Sequence, residues 1–134
     1  MTALPNGLVL DTSCLMAITL QEPGYEAMVT RIALATKRHL SAVSQVELGI
    51  VAANRAIGPR VLDLLSELEL NISAFDTHQA DLAIAAFAQF GKGRHKAGLN
   101  FGDCCAYALA KSLNLPLLFK GNDFSQTDIT SALV

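Results

Sequence analysis

Four acidic residues set the chemistry within reach of this chain: Asp11, Glu47, Asp103 and Asp123. Asp11 ends the apolar run Gly7-Leu8-Val9-Leu10, which has the length and character of a strand buried on both faces. Glu47 falls in the first turn of a helix opened by Ser44, and Asp103 in the first turn of one opened near Asn100. Asp123 lies just past a second apolar run, Pro116-Leu117-Leu118-Phe119. In a parallel sheet with short connections all four converge on the carboxyl edge of the strands, where open α/β folds bind ligands. Helical spacing puts Glu47 on a face with Ile50, Val51 and Asn54, and Asp103 on a face with Ala106, Leu109, Ala110 and Leu113. A carboxylate on a packing face is costly unless something compensates it, and neighbouring carboxylates repel. A divalent cation is the natural compensation, and all-oxygen ligation favours Mg²⁺ or Mn²⁺ over zinc. Such ions bind phosphate oxygens and serve in-line displacement at a phosphodiester.

Each acid also has a local reading that needs no ion. Asp11 is a fitting helix cap. Glu47 pairs with Ser44, and Asp103 with Asn100, in capping-box spacing. Asp123 in Gly121-Asn122-Asp123 is an ordinary turn residue. The joint placement, rather than any one acid, carries the catalytic reading.

The second feature is a Gly-rich basic stretch over residues 91–102. Lys92, Arg94 and Lys96 stand within five residues of one another, and no acid occurs between Asp81 and Asp103. The stretch is either a solvated charge run or a phosphate-backbone contact beside the acids. The G-x-x-x-x-G-K-[ST] spacing of a phosphate loop is absent. His39, His78 and His95 show no metal spacing; the first two read as structural, and His95 reaches RNA only by association with its loop. Cys104 and Cys105 have no histidine in a recognisable nucleophile signature, and there is no G-x-S-x-G elbow.

The elements that must hold these residues alternate. After the first strand come a short helix over 12–20 and another from Tyr25 with Met28, Val29 and Ile32 at helical spacing. A strand follows over 39–43, then the helix capped by Ser44. Gly58-Pro59 opens a further helix striped by Val61, Leu64, Leu65 and Leu68. A strand over 71–75, a helix capped by Asp76 or Thr77 and ending near Phe90, a helix over 100–114 and the strand at 116–119 complete the series. A short strand over 129–133 is expected last. This β-α-α-β-α-α-β-α-α-β order predicts an α/β chain: a three-layer α/β/α arrangement with a central parallel sheet.

Bulk properties agree. The 134 residues fit a single domain, 1–134, with 51% hydrophobic and 16% charged residues. Mean hydropathy of +0.37 implies an apolar surface that a partner or second copy covers. A net charge of −2 gives no global pull toward nucleic acid, so any such binding uses a local patch. Three cysteines, two of them adjacent and none in C-x-x-C, fit reduced thiols in the cytoplasm. No signal peptide or membrane-spanning run is visible.

With these residues in view, the chain resembles PIN-domain ribonucleases, most closely the VapC-type toxins of bacterial type II toxin–antitoxin pairs. The resemblance is carried by Val9-Leu10-Asp11-Thr12-Ser13, by Ser41-Ala42-Val43-Ser44-Gln45-Val46-Glu47-Leu48, and by the segment Arg94 to Cys104 with Asn100-Phe101-Gly102-Asp103. Leu117-Leu118-Phe119-Lys120-Gly121-Asn122-Asp123-Phe124 completes it. It implies a PIN-like fold and an Mg²⁺- or Mn²⁺-dependent endoribonuclease that leaves a 5′-phosphate and a 3′-hydroxyl. Asp11, Glu47 and Asp103 match the acidic metal ligands. Asp123 matches a later, more variable acidic position that Asn122 can take instead. Thr12 and Ser44 then support the ligands from behind, and Lys92, Arg94 and Lys96 position RNA. The implied substrate is structured RNA cut at a single-stranded loop of transfer or ribosomal RNA. The implied partners are a small VapB-type antitoxin and a second copy of the chain, with no membrane.

Two rival classes stay open on sequence alone. One is an aspartyl-phosphate enzyme or receiver domain, in which Asp11 accepts phosphate and Lys120 is the strand-end lysine. The other is a non-catalytic protein-binding α/β module whose acids are caps.

Overall fold

The computed structural model describes residues 7–133. The apolar run before Asp11 forms β1 (Gly7–Leu10), all four residues buried. The chain continues through α1 (Thr12–Thr19), α2 (Tyr25–Leu34), β2 (Lys37–Ser41), α3 (Ala42–Asn54), α4 (Gly58–Leu68), β3 (Asn71–Ser73), α5 (Thr77–Phe90), α6 (Phe101–Leu113) and β4 (Leu117–Leu118). The expected alternation of one strand and two helices holds throughout.

The strands lie parallel in the order β3-β2-β1-β4. The chain steps outward from β1 to β2 and β3, then crosses back to set β4 on the other side of β1. That reversal is the switch point at which open α/β sheets form a crevice beyond the strand ends. Strand alternation divides the core. Leu8 and Leu10 face Leu15, Ile32 and Leu48 from α1, α2 and α3, while Val9 faces Ala83, Leu109 and Phe90 from α5 and α6. Helices therefore cover both faces, giving the three-layer α/β/α architecture. The Val61, Leu64, Leu65 and Leu68 stripe of α4 packs on the first of these cores.

Three expected bounds are corrected, and with the first of them Glu47 moves from the first to the second turn of its helix. The third helix begins at Ala42, because Ser41 at the end of β2 is already extended (ψ 142°) and its hydroxyl accepts from the Val43 N–H. Ala42 and Val43 look like strand by residue type, but a serine in extended backbone at a strand's end is an equally good cap. Ser44 is thus inside α3 rather than its cap, and no Ser44–Glu47 capping box forms. The C-terminal strand over 129–133 reduces to one parallel bridge, Leu117 to Ser131. The bridge consists of Leu117 N–H to Thr130 O and Ala132 N–H to Leu117 O, both 2.9 Å. Asn71–Ser73 is likewise shorter than the strand expected over 71–75.

Candidate active site at the carboxyl edge of the sheet

Asp11 follows β1 directly and caps α1. Its Oδ2 accepts from the Ser13 N–H at 3.0 Å, so the local capping reading of Asp11 is correct. Yet the residue is only 3% exposed, and its pKa is pushed up from 3.8 to about 6. Burial is the main cause; the charges of Asp103 and Glu47 add to it, and hydrogen bonds from the Ser13 hydroxyl and amide oppose it. Asp11 is therefore both a cap and one member of a set of mutually repelling acids.

Glu47 reaches that set from α3. Its Oε1 accepts from the Thr12 hydroxyl at 2.7 Å, and the same hydroxyl lies 3.5 Å from Ser44 O. Its other oxygen lies against the backbone of Gly102. A Cβ at Gly102 would fall 2.7 Å from the Glu47 carboxyl carbon, closer than real contacts allow. Glycine is what lets the first turn of α6 close on this carboxylate.

Asp103 comes from that same turn. Asn100 and Asp103 form a reciprocal capping box: the Asp103 N–H donates to Asn100 Oδ1 at 2.8 Å and the Asn100 N–H to Asp103 Oδ2 at 3.0 Å. Burial raises the pKa of Asp103, as do the charges of Asp123 and Glu47, against the Asn100 hydrogen bond. Asp123 lies in the exposed turn after β4 and Asn122 beside it, also exposed. The influence of Asp123 reaches Asp103 rather than Asp11. The four acids are thus gathered from β1, α3, α6 and the β4 turn into one electrostatic neighbourhood.

Among the described residues no cationic side chain forms an ion pair with it. The two ion pairs among the described residues are Lys111–Asp128 and Lys120–Glu22, and neither touches these acids. Lys120 thus turns to Glu22 (3.4 Å), which removes the sequence argument for a phosphoacceptor lysine beside Asp11. Behind the acids, the Ser44 hydroxyl is fully buried and has no hydrogen-bond partner. Burying an unsatisfied hydroxyl is costly, so this is a place for a further polar ligand. Among the described residues no three His, Cys, Asp or Glu side chains stand close enough to grip one ion. The acids neighbour one another without closing a shell by themselves. Oxygen-only donors without a counter-cation, plus an unsatisfied hydroxyl behind them, fit a hard divalent ion that keeps part of its water.

Two contributors escaped the sequence reading. Ser13 accepts the Lys120 N–H at 3.0 Å while bonding to Asp11, so it ties the β4 turn to the first acid. Gly102 was visible only as the residue before Asp103; its role needs the proximity of α3. The cysteines behave as expected for inert thiols: Cys104 is pushed up to about 11 by burial and by the Asp103 and Cys105 neighbours. Lys92, Arg94 and Lys96 are exposed on the loop between α5 and α6. The loop's feet are closed by Lys92 N–H to Leu99 O and Leu99 N–H to Phe90 O, and it runs directly into the Asn100 cap. None of the three cations contacts an acid of the site.

The PIN domain family matches residues 8–129. A Ribonuclease VapC from Mycolicibacterium smegmatis is 45% identical over 127 residues, covering 92% of this chain and 98% of that one. Ribonuclease VapC28 of Mycobacterium tuberculosis is 45% identical over 130 residues, covering 94% and 98%. Among solved structures, VapBC2 from Rickettsia felis bound to a promoter DNA fragment superposes with a TM-score of 0.73 at 14% identity, covering 93% and 96%. Mycobacterium tuberculosis VapC20, described as a sarcin–ricin loop cleaving toxin, gives 0.71 at 12% identity over 92% and 96%.

Proposed function

Since the chain belongs to the PIN domain family and groups there with the VapC ribonucleases, we propose that it is a divalent-metal-dependent endoribonuclease toxin. The carrying observation is the uncompensated acid set, buried at Asp11 and half-buried at Glu47 and Asp103, in which Asp11 is pushed up to about 6 by burial and by its acidic neighbours. A stable fold tolerates such repulsion where a cation belongs.

Asp11, Asp103 and Glu47 would hold Mg²⁺ or Mn²⁺, which when bound supplies Lewis acidity to water and to phosphate oxygens. The residues do the rest. Thr12 fixes the orientation of Glu47 through the 2.7 Å hydrogen bond, and the close approach of Gly102 holds the carboxylate from its other side. Ser13 fixes Asp11, and the capping box fixes Asp103 through its Oδ2. Asp123, with Asn122 beside it, would flank the site from the turn after β4, where its charge reaches Asp103. Lys92, Arg94 and Lys96 meet the RNA backbone by charge. Hydrolysis in this arrangement leaves a 5′-phosphate and a 3′-hydroxyl.

The substrate we infer is a structured RNA cut in a single-stranded loop, of transfer or ribosomal RNA, so that cutting stops translation. One relative in fold is described as cleaving the sarcin–ricin loop, which supports the class. A VapB-type antitoxin and a second copy are the inferred protein partners. The exposed Val46, Ile50 and Phe101 flanking Glu47 support this, as does the Rickettsia felis assembly. No helix among the described residues is long and apolar enough to cross a membrane, and we place the protein in the cytoplasm.

Expression of the chain alone in bacteria, with sequencing of new 5′-phosphate RNA ends, tests this. Growth arrest with ends concentrated at one loop is expected. Unchanged RNA ends at full expression would overturn the reading in favour of a non-catalytic module.

A further inference from the structure

A cavity of about 400 Å³ opens between α5 and α6 on the flank of α6 away from Glu47. It is lined by Phe75, Ala83, Phe87, Phe101, Cys104 and Cys105. The size is in the range of small-ligand sites, and the lining offers almost no polar atom. Two of its walls are aromatic and open to solvent: Phe101 is 75% exposed and Phe87 38%. With Ile84, which is 69% exposed on the same lining, they make a contiguous apolar patch of the kind that marks a binding site.

The rim carries the opposite character. Arg94 lies with its guanidinium carbon 5.6 Å from the Phe87 ring centroid, a cation–π geometry that holds it at the cavity mouth. Lys92 and Lys96 flank it on the same closed loop. Among the described residues none of these three cations is in an ion pair. On the inner side, Phe101 and Cys104 bracket Asp103 on a single turn of α6. The cavity therefore has the basic loop at its rim through Arg94 and shares with the acids the first turn of α6, since its lining residues Phe101 and Cys104 flank Asp103.

We propose that this cavity is a base-stacking subsite, taking one unpaired nucleobase of the RNA next to the scissile phosphate. This rests on the RNA-cleavage reading above. Phe87 and Phe101 supply π-faces, Arg94 bridges from the Phe87 ring to the adjoining phosphate, and Lys92 and Lys96 hold the flanking backbone. A nucleotide brings an apolar face and an anionic group in one ligand, which matches the apolar floor and cationic rim together. An apolar peptide or a second copy fills the floor but leaves the three cations without counter-charge. Because the lining lacks hydrogen-bonding edges, stacking there is tolerant of base identity and selects for an unpaired base. The subsite thereby supplies a physical reason for cutting single-stranded loops.

The chain has no tryptophan, so Phe87→Trp places a single fluorescent reporter in the cavity wall. Ile84→Trp on the same lining is the second reporter if the first does not fold. The variant is titrated in EDTA at low salt with a fluorescein-labelled single-stranded RNA decamer and with an abasic ribose-phosphate decamer. Anisotropy reads binding and tryptophan emission reads stacking. The expected result is binding of both, quenching by the base-bearing decamer only, and about tenfold or greater weakening of that decamer alone on adding Phe101→Ala. RNA binding without a change in emission would overturn the subsite and leave the nuclease reading standing. No RNA binding at all would overturn both. An emission change that tracks protein concentration without RNA, with a dimer in sedimentation, would assign the cavity to a second copy instead.

Discussion

The Thr12 hydroxyl donates to Glu47 Oε1 across 2.7 Å, joining the first turn of α1 to α3. Thr12 is the residue immediately after Asp11, so one dipeptide presents the first acid and orients the second. The bond spans 35 positions of sequence, from the first residue of α1 to the second turn of α3.

Thr12→Val keeps the shape and removes the donor. Hydrogen bonds to charged groups contribute about 1.5–3 kcal/mol, so kcat for RNA cleavage is expected to fall roughly tenfold to a hundredfold. The Mn²⁺ concentration for half-activity rises with it, and Thr12→Ser restores most of both. Equal activity of the valine variant would show that Glu47 needs no such support.

Asp11 links catalysis to stability. Its folded-state pKa is raised from 3.8 to about 6 by burial and then by its acidic neighbours. The folded state therefore holds the proton more tightly than the unfolded state, and stability falls as pH rises from about 4 to 6. Above that window the cost is complete, on the order of 3 kcal/mol. Without metal at pH 7.5, Asp11→Asn is expected to melt several degrees above wild type while losing RNA cleavage. At pH 4 the gap closes. Thermal melts across pH check this; a variant less stable than wild type at pH 7.5 contradicts it.

Gly102→Ala tests the close approach of α6 to α3. A methyl group there collides with the Glu47 carboxyl, which must swing away from Thr12. Helix propensity favours alanine by about 1 kcal/mol, so the helical circular dichroism is retained while cleavage falls at least tenfold. Full activity in this variant would place Glu47 outside the site.

Tyr107 probes the frame rather than the chemistry. Its hydroxyl donates to Asp128 Oδ1 at 2.6 Å, and Lys111 pairs with Asp128 at 3.0 Å, fastening the C-terminal segment to α6. Partial burial works against ionisation of Asp128, but the Tyr107 and Lys111 bonds prevail and lower its pKa. The stability this adds is present above the unfolded-state pKa and is lost as pH falls through the folded one. Tyr107→Phe is expected to cost about 1 kcal/mol at pH 7, with a smaller loss at pH 3 and little change in kcat. Denaturant titrations at the two pH values measure it.

Much of this was legible before any coordinates. The alternation of short apolar runs with helical stripes encodes the layers, because a strand buried on both faces and a helix buried on one leave different periodicities. Asp11, Glu47 and Asp103 could be grouped because the sequence puts the first at a strand's end and the other two in the first turns of helices; the structure keeps this for Asp11 and Asp103 and moves Glu47 to the second turn of α3. The start of α3 was misplaced by three residues, since Ser41 and Ser44 are equivalent as caps in sequence and only the ladder partners of β2 distinguish them. The roles of Ser13 and Gly102 were hidden for another reason: both act through residues far along the chain, Lys120 and Glu47. The aromatic cavity beside α6 was hidden in the same way, since Phe87 and Phe101 meet only after the basic loop folds back.

The claim that distant carboxylates are assembled for a divalent ion is tested most directly by cleavage rate against added Mn²⁺. Chelator-treated wild type is compared with Asp11→Asn and Asp103→Asn on the same RNA. The account predicts no cleavage without metal, saturable recovery in wild type, and no recovery in either variant. Full-rate cutting by chelated wild type, or recovery of both variants to wild-type rate, would contradict it.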